Sequence, residues 1–183
     1  MDEQQAIQRL KSGDIRALEF LVARHQLKAV RTAYLITRDS GLAEDVVQDS
    51  FIHAFRAIHR FDEARPFEPW FLRSVVNASV KIMQRSVRQV EMGDEADESV
   101  LTKLALIADS VEAQVESIEV QNQIWDAMQK LSPRQRAVIV QRYFLGMSEK
   151  EMAQDLGSAA STVKWMLSTA RERLRQLLGR SEE

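Results

Sequence analysis

No cysteine occurs in the chain. Disulfides and thiolate-held metals are therefore excluded. Glycine and proline are scarce, at six and three in 183 residues, and β-branched runs are short. The turn-rich pattern of an all-β protein is missing, which favours an all-helical fold. No apolar run is long enough to cross a bilayer. The opening residues, Met-Asp-Glu-Gln-Gln, lack the basic-then-apolar pattern of an export signal. No membrane insertion and a cytoplasmic location are the expectations. Histidine is also sparse. His53 and His59 fall six residues apart, off the helical spacing for a shared metal, and His25 has no second histidine nearby. No metal and no cofactor are expected, and His25 is expected at the surface or satisfied by a neighbour. Nowhere do a nucleophile, a base and an orienting group converge in the pattern, so an enzyme is disfavoured.

What is present is apolar content and an uneven charge. Hydrophobic residues make up 45% of the chain, enough for folded cores. The formal charge is only −2, but it is unevenly placed. Residues 1–85 carry 13 Lys and Arg against 11 Asp and Glu, residues 86–121 carry 2 against 9, and residues 122–183 carry 10 against 7. Two mildly basic domains joined by an acidic connector fit this distribution. The boundaries follow as 1–86, 87–121 and 122–183. Such mild basicity alone binds DNA weakly, because affinity tracks the phosphates neutralised.

Residues 148–178 are the most informative stretch. Ser148-Glu149-Lys150-Glu151 is a capping box. Gly157 supplies a left-handed turn that ends the short helix after it. A second helix follows, with Val163, Leu167, Ala170, Leu174 and Leu177 on one stripe. Two short helices about a glycine turn form a helix-turn-helix. On the outer face of the second helix lie Ser161, Trp165, Ser168 and Glu172, flanked by Lys164, Arg171 and Arg175. Small polar groups near a helix start suit base edges, and cations suit phosphates. A solvated bundle helix can look similar, but an aromatic on a polar face usually has something to touch.

Towards the N-terminus, residues 3–11 read as a short amphipathic helix. Asp14 is placed to cap the next one, which runs to about Thr37. Asp39-Ser40-Gly41 is a break. A helix from Leu42 to about Arg60 follows, with Ala43, Val47, Phe51, Ala54 and Ile58 on its core side. Its other side carries Asp45, Asp49, Ile52 and Arg56, with Gln48 beside them. That face is either solvated or a docking surface for a basic partner. Phe61 to Pro69 reads as a loop, with Pro69 able to open a new helix. In that helix Trp70, Phe71, Val75, Ala78 and Ile82 are the inward candidates. Arg73, Asn77, Lys81, Gln84 and Arg85 form a polar, cationic face, and such a face with aromatics nearby suits unstacked single-stranded bases. Ser132-Pro133-Arg134-Gln135 is a further strong helix start, and Gly146 ends that helix.

Ala43-Glu44-Asp45-Val46-Val47-Gln48-Asp49-Ser50-Phe51, then Trp70-Phe71-Leu72-Arg73 with Asn77, then Leu131 to Arg136 and Ser148 to Leu178 occur in this order. Together they resemble bacterial RNA polymerase sigma factors of the extracytoplasmic-function group, over nearly the whole chain. The resemblance implies an all-α protein of two small helical domains and an acidic linker, the C-terminal domain being the helix-turn-helix. It implies that Asp45, Gln48, Asp49, Ile52 and Arg56 meet a basic coiled coil of core RNA polymerase. Phe61, Arg65, Phe67, Arg73, Asn77, Lys81 and Arg85 would capture unpaired bases of the minus-ten promoter element. Ser161, Thr162, Lys164, Trp165, Ser168, Arg171 and Arg175 would read the minus-thirty-five element. An anti-sigma factor is the further partner implied, and the chain is expected to be monomeric when free of partners. The sequence departs from the family pattern at Lys81, Gln84, Ser161, Met166 and Thr169. The competing readings are a dimeric helix-turn-helix regulator acting alone, and an interaction module with no DNA role.

Overall fold

The computed structural model describes residues 1–89 and 123–179, with side chains over 1–85 and 123–179. Every regular element among the described residues is helical. The chain divides into two compact units, Met1–Met83 and Gln84–Glu183.

The first unit begins with α1, Glu3–Lys11, opened by a capping box between Asp2 and Gln5. α2 spans Ala17–Thr37. Asp14 is not its cap. The helix begins at Ala17, and the Asp14 carboxylate instead accepts from the Arg16 amide at 3.1 Å and pairs with Arg9. α3 spans Ser40–Ala57, two residues earlier than the glycine suggested, and continues as a tight three-residue turn, Ile58–Arg60. The break falls at Arg38, which takes the left-handed conformation with φ of 67°. Asp39 then caps α3 by accepting from the Leu42 amide at 2.8 Å. Gly41 is thus a first-turn residue rather than the breaker.

α4 spans Phe67–Gln89. Phe67 and Glu68 therefore belong to the helix and not to the loop. Pro69 sits in the first turn, where its missing N–H costs no internal bond. The earlier start centres the buried stripe on Phe67, Phe71, Leu72, Val75, Val76 and Ser79, while Trp70, Ala78 and Ile82 are only half-buried. Phe71 stacks on Phe51 of α3 at 4.2 Å and faces Phe67 at 5.7 Å. Deleting a buried ring of this kind typically costs about 3–5 kcal/mol.

His25 is buried rather than exposed. Its Nε2 lies 2.8 Å from Glu3 Oε2 and its Nδ1 lies 3.5 Å from Glu68 Oε2. It therefore sits between α1, α2 and α4, hydrogen-bonded to Glu3 through Nε2, while Nδ1 faces Glu68 without a hydrogen bond.

In the second unit, residues 123–129 form α5. α6, Pro133–Ile139, carries the Ser132–Gln135 capping box with proline at its start. It widens into a looser turn over Val140–Phe144, where Leu145 N donates to Val140 O. Arg136 is buried, and its Nη1 donates to the Leu131 carbonyl at 3.0 Å, joining α6 to the end of α5. α7 spans Glu149–Leu156 with the Ser148–Glu151 capping box, and Gly157 ends it at φ of 56°. α8 spans Ala160–Leu178. Val163, Leu167 and Ala170 of α8 are fully buried, as is Met152 of α7. α8 packs on both α6 and α7, which completes the helix-turn-helix. The expected acidic connector, 87–121, lies outside the described residues beyond position 89.

Candidate partner and nucleic-acid interfaces

The first surface is the outer side of α3. Burial of Ala43, Val47, Phe51 and Ala54 turns the opposite side to solvent. Asp45, Gln48, Asp49, Ile52 and Arg56 are all exposed there. Asp45 and Asp49 stand one turn apart and make no ion pair among the described residues. Two uncompensated carboxylates around an exposed isoleucine suit a basic, partly apolar partner surface. Glu44 is exposed beside them.

The second surface joins the loop 61–66 to the outer side of α4. Phe61 and Phe67, the two expected base-capturing aromatics, are core residues at 4% and 1% exposure. Their rings meet edge-on at 5.7 Å, so neither is available to stack on a base. The structure narrows the loop's offering to Asp62, Ala64, Arg65 and Pro66, which are exposed. Arg65 leans on Asp62 at 3.5 Å. On α4, Arg73, Asn77, Lys81 and Arg85 are exposed and recur every four residues along one side. This is a cationic ridge with an amide donor and acceptor in it. Trp70, half-buried against Phe61 at 5.0 Å, is the aromatic that flanks it.

Two carboxylates beside this surface are held ionised. Lys11 hydrogen bonding keeps Glu63 below the usual carboxylate range, with burial opposing and Gln8 assisting. Lys28 does the same for Glu68, aided by the charge of His25.

The third surface is the outer side of α8. Ser161, Thr162, Lys164, Trp165, Ser168, Arg171 and Arg175 are all exposed, Trp165 at 67%. α8 has no side-chain cap at Ala159. Its first amides are therefore open to an anion, as helix starts that meet phosphate are. The cations are not equivalent. Lys164 makes no ion pair among the described residues. Arg171 Nε folds back onto the Leu167 carbonyl at 3.3 Å. Arg175 is paired with Glu172. The helix-turn-helix also exposes Tyr143 and Phe144 at 60% and 40%, aromatics to which the sequence pattern attached no role. No cluster of side chains fit to hold a metal ion occurs among the described residues. No helix among them is long and apolar enough to cross a membrane.

Comparison with known proteins assigns the family. Residues 21–89 match the description of Sigma-70 region 2, and residues 121–174 match Sigma-70, region 4. The chain is 33% identical to the RNA polymerase sigma factor CnrH of Cupriavidus metallidurans, over 94% of this chain and 92% of that one. It is 30% identical to the ECF RNA polymerase sigma factor SigW of Bacillus subtilis, over 94% of each. The solved structure of CnrH in complex with the cytosolic domain of CnrY aligns with a TM-score of 0.61 at 28% identity, over 97% of both chains. The sigma factor RpoE of Bartonella quintana, solved with the anti-sigma factor NepR, aligns at 0.62 and 25% identity, over 84% of this chain and 91% of that one. A region 2 fold, a region 4 helix-turn-helix and relatives matched along nearly their full length define a transcription initiation factor. The chain belongs to the extracytoplasmic-function group of RNA polymerase sigma factors. Its activity is to bind core RNA polymerase and direct promoter-specific initiation, which sets aside the regulator acting alone.

Proposed function

We propose that the three surfaces divide the work of initiation among named residues. Asp45, Gln48, Asp49, Ile52 and Arg56 dock the chain on a basic element of core polymerase. Arg65 with Arg73, Asn77, Lys81 and Arg85 holds the unpaired strand of the minus-ten element, the cations on phosphates and Asn77 on a base edge. Ser161, Thr162, Lys164, Trp165, Ser168, Arg171 and Arg175 meet the minus-thirty-five duplex, with the start of α8 in the major groove. The domains are 1–86 and 122–183, with 87–121 as an acidic tether. The protein works in the cytoplasm as a non-enzymatic subunit without cofactor.

One observation carries this reading best. Two uncompensated carboxylates, Asp45 and Asp49, lie on the outer side of α3, and rows of exposed cations lie along the outer sides of α4 and α8. A protein acting on DNA alone has no use for the α3 face. The mild basicity of residues 1–85 and 122–183 also implies that another molecule supplies most of the grip. An anti-sigma factor that covers these same faces is the proposed control, supported by the two related sigma factors solved in complexes. The test is reconstitution with core polymerase and transcription from a promoter library. Asp45→Arg with Asp49→Arg must abolish core binding, whereas Lys164→Ala must spare core binding and weaken promoter binding.

A further inference from the structure

α1 precedes the residues matched to region 2, which begin at 21, and the functional reading above gives it no task. Its side chains nonetheless hold the entrance of the loop 61–66 directly and reach its exit through His25 of α2. At the entrance, Lys11 Nζ donates to the Phe61 carbonyl at 2.8 Å and pairs with Glu63 Oε1 at 2.7 Å. Gln8 Nε2 reaches the other Glu63 oxygen at 3.5 Å. At the exit, Glu3 holds His25 at 2.8 Å, and His25 faces Glu68 in the first turn of α4 at 3.5 Å. Arg24 also pairs with Glu3, at 3.2 Å.

Between these anchorages the loop is locally folded. Ala64 N donates to Asp62 Oδ1 at 3.1 Å and Arg65 N to the Asp62 carbonyl at 3.0 Å. Phe61 and Phe67 are sunk in the core on either side. Lys11 keeps only 24% of its side chain exposed. Its ammonium is committed to one backbone carbonyl and one carboxylate, where a surface lysine would stay in water.

We propose that α1 is a strut that preorganises the 61–66 loop for an unstacked promoter base, with Lys11 as a positioning residue that touches no DNA itself. The inference rests on the reading of this loop as part of the minus-ten surface. Its physical basis is that a loop fixed before binding does not lose its freedom on binding, so the strut acts on affinity for the single strand. It leaves core docking and duplex reading untouched, because α3 and α8 take no part in the Lys11 contacts.

The test uses the full chain assembled with core polymerase. A single-stranded minus-ten oligonucleotide and a minus-thirty-five duplex serve as separate probes. Lys11→Met is expected to weaken the single strand about tenfold, which corresponds to about 1.4 kcal/mol. Core binding and duplex affinity stay unchanged, and Lys11→Arg restores most of the loss. In the free protein, amide exchange at Ala64 and Arg65 is expected to quicken. Glu63→Gln, which keeps the shape and removes the charge, gives a weaker version of the same result and serves if Lys11→Met folds poorly. Unchanged single-strand affinity in both variants overturns the strut when Arg65→Ala does weaken binding. If Arg65→Ala and Lys81→Ala also leave it unchanged, the minus-ten reading of this surface is what fails.

Discussion

Replacing Lys164 and Arg171 by alanine removes two exposed cations from the outer side of α8 and disturbs nothing in the core beneath. Both residues are exposed while Val163, Leu167 and Ala170 are fully buried, and the change at Arg171 also removes its Nε hydrogen bond to the Leu167 carbonyl. Surface changes of this kind usually shift stability by about 0.5 kcal/mol or less. Their effect on DNA is much larger. Each phosphate neutralised contributes about 0.9 to the slope of log affinity against log salt. Loss of two contacts therefore flattens the slope by about 1.8. Across a fourfold change in salt, the variant loses about 12-fold less affinity than the wild type. Arg175→Ala is expected to flatten it by less, since its guanidinium is already paired with Glu172. The assay is fluorescence anisotropy of the minus-thirty-five duplex with reconstituted holoenzyme at four salt concentrations. Core polymerase contributes equally to each measurement, so the difference reports α8. An unaltered slope in the double variant refutes the assignment of these cations to phosphates.

Further outcomes follow from other parts of the molecule. Asp45→Arg with Asp49→Arg is expected to eliminate co-purification with core polymerase while the melting temperature stays within a degree or so, because both residues are exposed. Leu167→Ala is expected to cost the helix-turn-helix about 2–5 kcal/mol in urea unfolding, as the side chain is fully buried on the helix that packs against α6 and α7. Glu68 gives a pH signature. Its carboxyl is held below the ordinary value of 4.5, first by the Lys28 hydrogen bond. The stabilisation is complete above the unfolded value and is lost as pH falls through the folded one. Acid unfolding of the first unit should begin below about pH 4.5 and be less steep in Glu68→Gln.

The parts legible in the sequence are those decided within a few residues. The capping boxes at Ser132 and Ser148 appear where the sequence placed them, as does the left-handed Gly157. The core stripes of α3 and α8 follow from spacing alone. One error was local: Asp39-Ser40-Gly41 read as the break before α3, but the Asp39 side chain caps that helix and the break falls at Arg38. The others arose where a distant contact overrode a local signal. Phe61 and Phe67 read as loop aromatics because Pro66 and Pro69 interrupt the stretch. Instead, α4 begins at Phe67, and its first turn packs that ring against Phe71 and His25. His25 looked solitary because its carboxylate partners stand 22 and 43 positions away, at Glu3 and Glu68. Lys11 and its acceptor at Phe61 are 50 residues apart, so no periodicity reports them. Of the three candidate surfaces, the α3 and α8 faces are exposed at every residue named for them. The loop surface keeps Arg65 and the α4 ridge but loses its two phenylalanines to the core.

The most direct measurement is the gain of promoter-specific transcription when the purified chain is added to core RNA polymerase. A stable complex is expected that initiates at defined start sites preceded by a shared pair of promoter elements, with both properties lost in the Asp45→Arg, Asp49→Arg variant. A folded chain that forms no complex with core polymerase, in the absence of any inhibitor, would contradict this expectation.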